Sequence, residues 1–167
     1  RYTARDYLKR FDAISVRENS GVDICRNKFG IEAEQIIDPI FWEGAQVFDE
    51  IIDSQDASEL PEKYLLCYIL DPDEQKSSFI QNVANKKQLS VLTVFGLKEY
   101  ESAKKSWNIG AIVEKPTIEE FLLLVKNCEF LITDSHHGTC LGILFKKNYF
   151  AIGNKKRGID RFITVAE

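Results

Sequence analysis

Short apolar runs punctuate this chain, and longer amphipathic stretches separate them. The longest run is Tyr64-Leu65-Leu66-Cys67-Tyr68-Ile69-Leu70. It does not alternate with polar residues, as expected of a strand buried on both faces of a parallel sheet. Leu89 to Phe95 predicts a second strand, Phe130 to Ile132 a third and Tyr149 to Ile152 a fourth, with a short one at Gly110 to Val113. Nearer the start, Ala13 to Arg17 alternates like a short strand. Gln35 to Asp38 predicts another, broken by Pro39.

Helical signals fall between these runs. Tyr2 to Phe11 predicts a helix ending near Arg10, and Gly21 to Lys28 another, capped by Asn19 or Ser20 and stopped by Gly30. Further helices are expected at Gln46 to Ile52, at Glu74 to Asn85 behind an Asp73 cap, and from Pro116-Thr117-Ile118-Glu119-Glu120 to Asn127. The Leu97 to Trp107 stretch is polar and reads as loop with some helix, and Phe41-Trp42 reads as packing. Strand and helix alternate throughout, which implies an α/β fold with a parallel sheet and helices on both faces. With 167 residues and no linker or repeat, the whole chain, 1–167, is taken as a single α/β domain.

One stretch concentrates the chemistry: Glu129 to Thr139. The apolar run ends in Thr133-Asp134-Ser135, the chain's two histidines follow as His136-His137, and Gly138-Thr139 lead into a helix expected from about Gly138 to Phe145. In open α/β sheets ligands bind at the carboxyl ends of strands, facing helix N-termini that attract anions.

Composition narrows the possibilities. A net charge of -4 argues against a general nucleic-acid binder. No run approaches the roughly 20 apolar residues that span a bilayer. Cys25, Cys67, Cys128 and Cys140 are scattered, mostly within apolar runs, and read as reduced core residues of a cytoplasmic protein. The sequence holds no methionine, so it is read as a piece of a longer chain.

Three segments resemble the polysaccharide pyruvyl transferase family. They are Ile14-Ser15-Val16-Arg17-Glu18 with Ile37-Asp38-Pro39; Pro116 to Phe121; and Thr133-Asp134-Ser135-His136-His137-Gly138-Thr139 with the cationic loop up to Arg161-Phe162. The resemblance implies a Rossmann-like domain forming one half of a GT-B type fold, here the C-terminal half, with an N-terminal domain of the same chain missing. It implies pyruvyl transfer from phosphoenolpyruvate onto a glycan acceptor, forming a ketal on a cell-surface polysaccharide. No cofactor or metal is expected beyond that donor, and the location is cytoplasmic or at the inner membrane face with a lipid-linked glycan. The family's histidine maps onto His137. The preceding position, usually aromatic, holds His136 here.

Ketal formation needs a proton donor and strong anion binding. His137 is therefore the candidate acid–base group. Arg17 carries a fork that grips carboxylate or phosphate, unless Glu18 or Asp38 holds it. Lys155, Lys156, Arg157 and Arg161 form a dense cationic cluster suited to donor phosphate. Ser135, His136, Gly138 and Thr139 complete the expected substrate-binding set, with Ser135 and Thr139 equally suited to capping. Asp134 is expected to orient His137 or cap the turn. A Ser–His–Asp hydrolase is disfavoured because adjacent residues rarely converge and no G-x-S-x-G elbow is present. A zinc site is disfavoured because neighbouring histidines lack ligand spacing. Two other readings stay open: a nucleotide-sugar glycosyltransferase of GT-B type, and a non-catalytic anion-binding module.

Overall fold

The longest apolar run is buried along nearly its whole length, and the main sheet is built outward from it. The computed structural model describes residues 3–53, 55–96 and 100–166, with the side chains of Ser102 and Ser106 outside the description. In chain order the elements begin with α1 (Ala4–Leu8), β1 (Ser15–Val16), α2 (Asn19–Ile24), β2 (Glu34–Gln35) and α3 (Gln46–Ile52). Then come β3 (Tyr64–Ile69), α4 (Glu74–Lys87), β4 (Ser90–Phe95), α5 (Tyr100–Ser106), β5 (Ala111–Ile112) and α6 (Ile118–Asn127). The last are β6 (Phe130–Thr133), α7 (His136–Leu144), β7 (Asn148–Ala151) and α8 (Asp160–Ala166). They form two compact units, Arg1–Trp42 with Lys155–Glu167, and Glu43–Asn154.

In the larger unit five parallel strands run in the order β5-β4-β3-β6-β7. Successive side chains of a strand point to opposite faces, so β3 must be apolar on both. Leu65, Cys67 and Ile69 pack with Ile80 and Ala84 of α4 and with Phe130 and Ile132 of β6. On the other face the Tyr64 hydroxyl donates to the Leu124 carbonyl of α6 at 2.7 Å. Tyr68 stacks at a tilt on Phe121, and Leu131 lies under Gly142 of α7. Helices thus cover both faces, and each buried leucine or isoleucine contributes about 1.5–3 kcal/mol. Cys25, Cys67, Cys128 and Cys140 are all buried thiols, outside any disulfide. The buried Trp107 indole donates to Thr93 Oγ1 at 3.1 Å, so neither polar atom is stranded in the core.

Local chemistry sets the helix ends. Asp73 accepts from Lys76 N at the start of α4, and Thr117 and Glu120 form a reciprocal capping box at α6. α2 starts at Asn19 with Glu18 in the cap position, earlier than the expected Asn19 or Ser20 cap, and its last turn relaxes into a π-helical turn, Cys25–Phe29. Gly30, at φ +61°, stops it. The polar 97–107 stretch contains α5, and residues 97–99 lie outside the described residues. Trp42, expected in packing, is 64% exposed.

The smaller unit is built differently. β1 and β2 pair in parallel through only two residues each, Ser15 with Glu34 and Val16 with Gln35. α2 makes the crossover between them. Asp38 then caps a single 3-10 turn, Pro39–Phe41.

Candidate functional site

The chain leaves β3 toward β4 on one side and returns as β6 on the other. β3 and β6 therefore flank the point where strand order reverses, the usual place for a ligand crevice in an open α/β sheet. β6 ends in Thr133, whose hydroxyl donates to the Tyr68 carbonyl at 2.7 Å and accepts from Ser135 N at 3.1 Å. That ties the turn to β3. α7 begins at His136, two residues earlier than the sequence suggested, because Ser135 is its N-cap and accepts from Gly138 N. Thr139 Oγ1 donates back to the Ser135 carbonyl at 3.0 Å. Ser135 and Thr139 are both buried and serve the turn itself. Gly138 is required by close approach: a Cβ there would lie 2.5 Å from Thr133 Oγ1 and 2.9 Å from Tyr68 Cδ1.

The two histidines occupy the first turn of α7 but face different surroundings. His136 is buried, with Nε2 3.6 Å from Cys140 Sγ one helical turn on. His137 is exposed, its ring edge-on to His136 at 5.4 Å between centroids. Of the two, His137 has the access an acid–base group needs. His136 fills an interior position.

Asp134 neither orients His137 nor caps the turn, contrary to expectation. Its carboxylate is fully buried and reaches across to the end of β3, accepting from Leu70 N at 2.6 Å and Asp71 N at 3.1 Å. Lys76 Nζ of α4 donates to it at 2.9 Å, and Asn154 Nδ2 lies at 3.3 Å. Lys76 also donates to the Asp71 carbonyl, and Asn154 to the Asp71 carboxylate at 2.5 Å. An internal carboxylate thus occupies the backbone N–H groups that a ligand anion could take at this switch point. Beside it Asp73, Gln75, Lys76, Phe79, Ile152 and Gly153 line an open cleft of about 440 Å³.

Lys76 and Asn154 were not foreseen. One signal was available for Lys76: it stands in the first turn of a helix, where the macrodipole disfavours a cation. A lysine there calls for a compensating carboxylate. Asn154 gave no signal beyond following Gly153.

The remaining candidates lie in the smaller unit. Arg17 follows β1, and its Nη1 donates to Asp38 at 2.7 Å while Nε donates to Glu18 at 3.1 Å. Burial alone would lower its pKa, but the bonds and charge of Asp38 and Glu18 outweigh that and raise it. Arg161 Nε reaches the same Glu18 oxygen at 3.2 Å. Glu18 thus brings Arg17 and Arg161 together. Lys155, Lys156 and Arg157 form a 3-10 turn, with both lysines exposed and Arg157 half-buried. The ten candidates therefore fall into two groups, one in each unit.

Comparison with known proteins adds the following. A family model described as "Polysaccharide pyruvyl transferase" matches residues 1–156. No curated protein sequence matches the chain. Among solved structures, the UDP-GlcNAc 2-epimerase of Methanocaldococcus jannaschii, in complex with UDP-GlcNAc and UDP, superposes with a TM-score of 0.53 at 17% identity. That match covers 80% of this chain and 44% of the epimerase. The wall teichoic acid polymerase TagF (H444N with CDPG) is similar at 17% identity over 91% of this chain and 42% of its own, with a TM-score of 0.46. The chain therefore spans less than half the length of either structure. These neighbours have GT-B-like folds, and the likeness to the epimerase concerns the fold alone. Among the described residues no helix is long and apolar enough to cross a membrane.

Proposed function

The chain belongs to the polysaccharide pyruvyl transferase family, and from that premise we propose that it moves a pyruvyl group from phosphoenolpyruvate onto a sugar of a cell-surface polysaccharide, forming a ketal. The observation that carries this reading is the β6–α7 turn, which leaves His137 exposed at a helix N-terminus beside the strand-order reversal.

The chemistry balances around one proton donor. Protonating the methylene carbon of phosphoenolpyruvate makes C2 electrophilic, and a sugar hydroxyl adds there and loses its proton. Phosphate then leaves, and a second hydroxyl closes the ketal. One of the two hydroxyl protons replaces that given to the methylene, and the other leaves with phosphate. His137 gives and recovers the proton. The α7 N-terminus favours the donor's negative charge. Within the smaller unit, Lys155, Lys156, Arg157 and Arg161 are cations suited to a phosphate, and Arg17 takes an anion only by exchanging a carboxylate of its own for it. Ser135, Gly138 and Thr139 set the turn on which His137 stands. The donor is the sole small-molecule requirement, so activity should survive EDTA. An N-terminal domain of the same chain completes the cleft, and the reaction runs on the cytoplasmic side with a soluble or lipid-linked acceptor.

The test is phosphate release by the full-length protein given phosphoenolpyruvate and a panel of glycans. His137→Ala should lower turnover by about 100-fold or more with an unchanged unfolding midpoint. Turnover near wild type would remove His137 from the mechanism. Tight binding of UDP-sugars without binding of phosphoenolpyruvate would instead favour a glycosyltransferase. Binding of phosphoenolpyruvate that is never consumed, whatever acceptor is offered, would favour a non-catalytic module.

A further inference from the structure

Segments far apart in sequence meet at the Asp134 carboxylate. One is the β3–α4 turn and adjoining first turn of α4, through Leu70 N, Asp71 N and Lys76, and another is the exit of β7, through Asn154. Asp134 itself immediately precedes Ser135, the cap of α7. The carboxylate is fully buried and the Lys76 side chain only 15% exposed. Lys76 Nζ has further acceptors in the Asp71 carbonyl and, at 3.5 Å, the Asp73 carboxylate. Such a pair is a poor source of net stability, since desolvating both charges offsets most of their attraction. Its geometric effect is larger. Displacing the carboxylate moves the residue just before the α7 cap, and His137 stands three residues on.

We propose that Asp134 and Lys76 are a positioning pair that fixes the α7 N-terminal turn, and hence His137, against the end of β3. Asn154 closes the arrangement by donating to both Asp134 and Asp71. Neither member of the pair contacts substrate. They act through the backbone they hold. A displacement of about 1 Å at a reacting group can cost about 100-fold in rate, so the pair matters to turnover beyond its contribution to folding. The turnover arm of the test rests on the pyruvyl transfer reading, and the exchange arm does not.

The experiment compares Asp134→Asn, Lys76→Met and the double variant in the full-length protein. Asp134→Asn leaves the Lys76 ammonium facing an amide, so its urea midpoint should fall. The double variant removes that ammonium and should regain much of the midpoint. Turnover of phosphoenolpyruvate should stay down about 100-fold in both. Amide exchange should rise together over residues 70–76, 133–138 and 152–154 and stay unchanged over 91–95. Turnover in the double variant that returns with its stability would overturn the proposal, as would loosening confined to one of the three segments. If wild type releases no phosphate with any acceptor, the function reading falls and the exchange arm decides alone: joint loosening upholds the positioning pair and anything else overturns it.

Discussion

Asp134 and Asp38 make the same kind of connection in two different settings. Each follows a parallel strand in its own unit, accepts from backbone N–H and binds a cation. Asp134 lies in a five-stranded sheet, and its lysine partner is 15% exposed. Asp38 lies beyond a two-residue strand pair, and its arginine partner is 29% exposed and also held by Glu18. Arg17, with more water and a second carboxylate bonded at 3.1 Å, tolerates the loss of one partner better than Lys76, which is more enclosed and whose second carboxylate, Asp73, stands 3.5 Å away. The large unit therefore depends on its ion pair for geometry. The small unit, with little apolar surface between its strands, is held by a set of exchangeable ties.

The strongest way to break this contrast is to remove each carboxylate in turn. Asp134→Ala strands two backbone donors and leaves the enclosed Lys76 ammonium with the Asp71 carbonyl and the more distant Asp73 carboxylate, so about 3–5 kcal/mol of unfolding free energy should be lost. Asp38→Ala leaves Arg17 on Glu18 and should cost about 1 kcal/mol. Urea titrations of the two variants measure both. Equal losses would mean that enclosure does not decide the outcome. Salt should separate them as well, with 0.5 M NaCl weakening the Asp38 tie more than the Asp134 one.

A smaller effect is expected at Gly138, where the constraint is steric. A methyl group there meets the Thr133 hydroxyl at 2.5 Å, and that hydroxyl already bridges to the Tyr68 carbonyl. Gly138→Ala should cost about 1–3 kcal/mol and displace the start of α7. The same substitution at Gly142, where the nearest atom is the Leu131 Cδ2 methyl at 3.0 Å, should cost less because a side-chain end can yield. Thermal unfolding of the pair ranks them. A reversed order would put the tight point further along the helix.

These positions also mark how far the sequence was readable. Continuous apolar runs gave β3 and β4 within a residue, because burial on both faces leaves no other pattern. Thr117 and Asp73 announced their helices because a capping side chain acts on its own next turn. The β6–α7 strand-to-helix turn is legible in the sequence, but its interior is not. Nothing local tells that Asp134 turns toward Leu70 and Asp71, since those contacts span more than 60 residues. The same holds for Asn154, 83 residues from Asp71. Ser135 and Thr139 show how a capping motif and an anion-binding motif use the same residue types, so only coordinates separate them. Arg17 shows a guanidinium foreseen with both its functional and its structural partners, of which the structure realises the carboxylates of Glu18 and Asp38.

The smallest effect concerns alkaline pH and separates the larger unit from the smaller one. Burial pushes the Cys128 thiol up to about 11 against the lowering pull of Lys147. Burial raises Cys67 and Tyr64 in the same direction. All three belong to the Glu43–Asn154 unit. A thiol whose pKa is higher folded than unfolded favours the folded state fully below the unfolded value of 9.0, and that contribution is lost as pH rises toward 11. For Cys128 the loss is on the order of 1 kcal/mol at pH 10. Cys128→Ala should therefore flatten the fall of the urea midpoint between pH 9 and 11. Tryptophan emission follows this unit through Trp107, which is buried there, once Trp42 in the smaller unit has been replaced by Phe. An unchanged slope in the alanine variant would assign the alkaline loss to Cys67 and Tyr64 instead.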